Sequence, residues 1–86
     1  MEEAIEITNA LEDFGLTKTE VAVYLTLLKK NQSTAYRISK ESQIYKANTY
    51  MAIESLVKKN LIIKEVINQK QFFKAVPPEK FIMNSN

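Results

Sequence analysis

The hydrophobic period of this chain changes once, near residue 60, and that change limits the fold more than any other feature. Up to Lys59 the apolar residues recur at helical spacing. "LIIKEVINQKQFFKAV" then places β-branched and aromatic residues in two short runs around a polar tip, Asn68 to Gln71. These runs predict a β-hairpin with strands over 61–66 and 72–76, ended by Pro77, which cannot donate to a ladder. A chain of 86 residues makes one domain, residues 1–86, so helices and hairpin must share one modest core.

The helical part divides at its punctuation. "EEAIEITNALEDF" predicts a helix over 2–14, and Gly15, the single glycine, ends it as a left-handed cap residue does. Thr17 with Glu20 three residues on fits a capping box. It opens a second helix over 17–30, where Val21, Tyr24, Leu25 and Leu28 share a face that Val23 and Leu27 widen. Ser33 or Thr34 caps a short helix over 34–41, with Ala35 and Ile38 inward. After the break "SQIY" a longer helix spans 45–59, and Asn60, which tolerates the left-handed conformation, closes it. Pro78 starts a last helix over 78–83. The expected class is mainly α with a small β-hairpin.

Composition removes most chemistry. There is no cysteine and no histidine, so thiolate metal sites, thiol nucleophiles, the usual general base and Ser-His triads are excluded. An enzyme would need Asp/Glu pairs, Lys or Tyr in a pocket, and the acids here fall in solvated helix patterns. We therefore expect no enzyme, no cofactor and no metal. The apolar runs are too short for a membrane span, and the acidic N-terminus is the reverse of a signal peptide, so a soluble, cytoplasmic protein is expected. Charge is uneven beneath a net +2: Glu2, Glu3, Glu6, Glu12 and Asp13 precede any base. The remainder is strongly basic, as suits a polyanionic partner, although ordinary surface lysines read the same way.

A short helix, a tight turn, a second helix and then a hairpin form the winged helix-turn-helix arrangement, whose second helix enters the major groove. Stepping by about 100° per residue tests the faces of 45–59. Thr49, Ile53, Leu56 and Val57 share the buried arc, with Tyr50 at its edge. Ala47, Asn48, Met51 and Ser55 lie opposite, flanked by Ala52, Lys58 and Lys59. A solvated face is usually rich in Glu and Lys. This one is small and nearly free of acids. Asn can pair with adenine, and Ala or Met can touch a thymine methyl. A face packed on a partner protein is the competing reading.

At this point the sequence resembles the DNA-binding domain of the TrmB family of transcriptional regulators, which are largely archaeal. "FGLTKTEVAVYLTLL" resembles the family signature through Gly15, Leu16, Thr17, Glu20, Tyr24 and Leu27-Leu28. "STAYRIS" resembles its short helix, and "IYKANTYMAIESLVKKNLI" its recognition helix through Tyr50, Leu56, Lys59 and Leu61. "FFKAVPPEKFI" resembles its exit from the wing through Ala75 to Glu79. The match runs over roughly residues 11 to 82. Tyr45 stands where the family often has Pro, and Asn60 where it usually has Gly. The resemblance implies a regulator that binds double-stranded DNA at an operator as a homodimer. Many members continue into a sugar-binding domain that would begin where this chain ends. The chain is thus expected to be either a minimal regulator or part of a longer one, with no identifiable effector site.

Roles follow residue by residue. Lys46, Ala47, Asn48 and Met51 would meet base edges, with Tyr45 and Tyr50 at the margin reaching phosphate. Ser33, Thr34 and Arg37 would contact phosphate from the preceding helix, where capping alone also explains Ser33 and Thr34. Gln69 and Lys70 would do so from the wing, 67–71, on backbone or minor groove, unless they are only solvated turn residues. Tyr24, Leu25, Leu28, Ile38, Ile53, Leu56, Leu61 and Phe72 are expected in the core. Ile5, Ile7, Phe81 and Ile82 are the candidate dimer residues, on the two terminal helices. The alternative to a DNA reader is a winged helix used for protein contact, which would show little salt-sensitive binding to mixed duplex.

Overall fold

A computed structural model describes residues 2–82, in the order α1 Glu2–Asp13, α2 Lys18–Leu28, α3 Ala35–Ser42, α4 Lys46–Lys58, β1 Ile62–Ile67 and β2 Lys70–Ala75, then a single 3₁₀ turn Pro78–Lys80. The expected class and arrangement hold, and the bounds of α1 to α4 agree to within a residue or two.

Three helix ends set the path of the chain, and each uses a left-handed residue. At α1 this is Gly15 at φ +107°, where an added Cβ would meet nothing, so the dihedral alone calls for glycine. Gly15 N–H bonds the Glu12 carbonyl and Leu16 N–H the Leu11 carbonyl, which is a Schellman closure. At α4 the same pair of bonds recurs, Asn60 N–H to Val57 and Leu61 N–H to Leu56, with Asn60 at φ 64°. Both closures bury the paired leucines completely or nearly so. At α3 the left-handed residue is Gln43, φ 60°. Starts are capped too. Thr17 and Glu20 make the full capping box on α2, and Thr34, rather than Ser33, caps α3 by accepting from the Arg37 N–H.

The hairpin departs from expectation. Its turn is two residues, Asn68 and Gln69, both at positive φ (52° and 68°), the pair of signs a type I′ turn needs. Lys70 and Gln71 therefore lie in β2, paired with Ile67 and Val66. Phe73 is the buried aromatic, and Phe72 is only half-buried. The sequence offers two adjacent phenylalanines, and in a strand only one of the two faces inward. Phe73 also trades two backbone hydrogen bonds with Ser33, at 3.0 and 2.7 Å, on the far edge of β2. Ser33 is buried by this bridge.

The core centres on α2, which buries Val21, Val23, Tyr24 and Leu27 against α3, α4 and β2. The predicted helix over 78–83 is reduced to the 3₁₀ turn, and Met83 lies outside the described residues. Phe81 leaves helical geometry (φ −138°) and packs against Phe14 and Tyr24, with ring centroids at 5.3 and 5.9 Å. No described helix is long and apolar enough to cross a membrane.

Candidate nucleic-acid interface

The turn between α3 and α4 is held from both sides. The Ile44 carbonyl accepts from the Ser39 hydroxyl at 2.9 Å and from the Thr49 hydroxyl at 3.3 Å. Thr49, Ile53 and Leu56 are buried, which fixes how α4 is rolled against the core. That roll leaves Lys46, Ala47 and Asn48 exposed, Met51 at 68% exposure and Tyr45 at 81%. This is the strip expected from the sequence, with two exceptions. Ala52, placed on its flank, is buried, and Ser55 is half-buried because its hydroxyl donates to the Glu20 carboxylate.

Three of the other expected contact residues, Thr34, Tyr50 and Lys70, meet at one groove. Thr34, Ala35 and Tyr36 of the α3 start, Tyr50 of α4, and Lys70 and Gln71 of the wing line it together. Three elements thus bring hydroxyl, phenol and ammonium groups to one place beside the outward strip. Tyr36 was not singled out from the sequence. It is 57% exposed, with the Lys40 ammonium 5.5 Å from its ring centre. The signal for it was that Ala35 and Ile38 already fill the inward positions of α3, which turns Tyr36 outward. Arg37 and Gln69 are exposed, Gln69 on the turn and Arg37 on α3. Ser33 is not presented to solvent. Its backbone is spent on Phe73 and its hydroxyl is turned to the Thr34 carbonyl at 3.4 Å, so it leaves the contact set. Lys70 lies at the start of β2, not on the tip.

Among the described residues, Arg37, Lys46 and Lys70 form no ion pair, and neither do Lys29, Lys40, Lys58, Lys64, Lys74 and Lys80, whereas Lys30 is held by Glu41 at 2.9 Å and Lys59 by Glu20 at 3.1 Å. A second groove runs along the strip, lined by Thr17, Thr19, Glu20, Asn48, Met51 and Ser55. Its floor holds the buried Glu20 carboxylate. Burial pushes that carboxyl up, but bonds from Ser55, the Thr17 N–H and Lys59 outweigh it, and the net direction is down from the usual carboxylate value.

Of the candidate dimer residues only Ile5 is exposed, at 59%. Ile7, Phe81 and Ile82 are partly buried against the chain's own core, Phe81 between Phe14 and Tyr24. Among the described residues no cluster of acidic side chains could hold a metal ion.

Comparison with known proteins adds to this geometry. The family model for the sugar-specific transcriptional regulator TrmB matches residues 11–79. The HTH-type sugar sensing transcriptional regulator TrmBL1 of Pyrococcus furiosus is 44% identical over 57 residues, which is 66% of this chain and 17% of that protein. The chain thus spans about a sixth of that relative's length. Solved structures share the fold at low identity. BpsR of Bordetella bronchiseptica, described for regulation of its DNA binding by 6-hydroxynicotinic acid, superposes with a TM-score of 0.72 at 19% identity, over 92% of this chain and 59% of that one. A MarR family transcriptional regulator from Silicibacter pomeroyi gives 0.66 at 16% identity, over 87% and 55%.

Proposed function

The chain belongs to the TrmB family of transcriptional regulators, and from that premise we propose that it binds double-stranded DNA sequence-specifically, with α4 in the major groove and the wing on the adjacent backbone or minor groove. The observation that carries this reading is the exposed, acid-poor strip Lys46, Ala47, Asn48 and Met51, bordered by the groove where Thr34, Tyr36, Tyr50 and Lys70 converge. The strip suits base edges, and the groove suits a phosphate of the flanking backbone. Affinity then comes mostly from the unpaired cations and selectivity from the strip. The domain is small, so two copies on half-sites about 34–36 Å apart would supply the missing affinity. Ile5 and the rim of the groove between α1 and the 3₁₀ turn are what this chain offers to such a homodimer. Sugar sensing is named for the relative and is not proposed for this stretch, which aligns with so little of that protein.

Selection of bound sequences from a random duplex pool tests the reading. The expected outcome is an enriched half-site and, for a dimer, a fixed spacing between two of them. Asn48→Ala should then cost about 1–3 kcal/mol on the selected site and little on random duplex. Equal losses on both duplexes would remove Asn48 from the base-reading set. No enrichment, together with weak binding that salt does not alter, would replace DNA by a protein partner.

A further inference from the structure

The Glu20 side chain does more than a cap requires. A capping box needs only two bonds, the Thr17 N–H donating to the Glu20 carboxylate at 2.9 Å and the Glu20 backbone N–H donating to the Thr17 hydroxyl at 3.1 Å. Glu20 also reaches across to α4. Its carboxylate accepts from the Ser55 hydroxyl and from the Lys59 ammonium, at 3.1 and 3.2 Å to the two oxygens. The residue is 5% exposed. Lys59, the C-cap of α4, follows Ser55 by one turn, and Ser55 lines the same groove as Asn48 and Met51.

Resting on the function proposed above, we infer that Glu20 is a positioning residue for recognition: it locks the roll of α4 and keeps Lys59 off the phosphates. Both attachments lie off the helix axis on one flank, so each opposes roll of the helix, and their spacing of one turn along it opposes tilt as well. The leverage is considerable. A roll of about 20° moves a side-chain tip at the helix's outer radius by about 2 Å. That displacement separates a made hydrogen bond from a lost one. The core side already holds Thr49, Ile53 and Leu56. Glu20 adds a polar stop on the other flank, beside the strip that would touch bases. Lys59 is 39% exposed yet bound to a carboxylate, so it contributes no free cation at the end of α4.

The test compares the full chain with two variants on the selected duplex and on random duplex, across a salt series. Ser55→Ala combined with Lys59→Met removes both attachments on α4 and leaves the capping box intact. Its ratio of selected to random affinity should fall about tenfold, the size of one lost bidentate contact. Glu20→Gln keeps one oxygen to accept from the Thr17 N–H, can meet the Ser55 hydroxyl only by donating to it from the amide NH2, and loses the charge that holds Lys59. Its affinity for random duplex should gain a steeper salt dependence, by about one unit of log–log slope. A purely structural role would lower thermal stability and leave both readouts where they are. Thermal melts of each variant confirm that the comparison is between folded proteins, and the exposed Lys59 site keeps the test open if Glu20→Gln does not fold. A wild type that discriminates, with variants that discriminate and respond to salt equally well, overturns the role of Glu20 alone. A wild type that does not discriminate overturns the base-reading strip itself.

Discussion

Tyr24 and Glu20 sit one turn apart on α2, and each sends a polar atom from a buried position to a distant element. The Tyr24 hydroxyl donates to the Val76 carbonyl just after the wing, while its ring is wholly buried. Burial pushes the phenol pKa up, and the Glu79 carboxylate adds to it. Tyr24 therefore stays protonated in the folded chain beyond the ordinary tyrosine value of about 10. Its stabilising contribution is complete below that value and is lost as pH rises above it. Glu20 works with the opposite sign: its stabilisation is present above the ordinary carboxylate range and is lost as pH falls below it. Urea unfolding between about pH 8 and 11 should show an alkaline loss in the wild type that is smaller in Tyr24→Phe. The same substitution should cost about 1–2 kcal/mol at neutral pH, because the Val76 carbonyl loses its donor. An alkaline limb identical in both proteins would show that Tyr24 is not the group responsible. Neither role was legible from residues in isolation. Glu20 was recognisable as a cap because Thr17 is three positions away, but Ser55 lies 35 positions on. The exposure of Asn48 and Met51, by contrast, follows from one helix's own period, and the sequence located it.

At the scale of elements, the sequence announces helix ends well when one residue type signals them and poorly when tertiary pairing decides. Gly15 and Asn60 were legible as left-handed caps; Gln43, in the same conformation at the end of α3, carries no such signal. The wing shows the same limit. Its tip reads as four polar residues, yet pairing continues to Ile67 and Lys70, and only Asn68 and Gln69 remain in the turn. Gln69 is the less suited of the two to positive φ, since type I′ turns favour glycine at the second position. Gln69→Gly should therefore stabilise the domain by up to about 1 kcal/mol, read as a rise in melting temperature. A fall would mean that its side chain makes a contact worth more than the backbone strain. The C-terminal segment departs from its sequence pattern for a related reason. Pro78 is a good helix opener, but Phe81 is drawn between Phe14 and Tyr24 before a second turn can form.

For the whole molecule, charge and packing divide along different lines. The acidic first helix carries charge of the wrong sign for DNA, yet it is not an appendage. Leu11 is completely buried, and Leu16 behind it is nearly so. Leu11→Ala should cost about 2–5 kcal/mol in denaturant unfolding, comparable to truncation of a central core leucine. A cost under about 0.5 kcal/mol would mark α1 as separable from the rest. The architecture was legible because it rests on local periods in a fixed order. The tie between distant parts was not, and the Ser33–Phe73 bridge is the clearest case. It joins the residue before Thr34 to the strand that carries Lys70, so the α3 start and the wing are riveted into one frame. If DNA is bound as proposed, the gap between these two grips would act as a caliper with fixed jaws. A duplex whose local width matched the jaws would be held without deformation. One that did not would have to bend to fit, and the energy of that bending would depend on base steps the protein never touches.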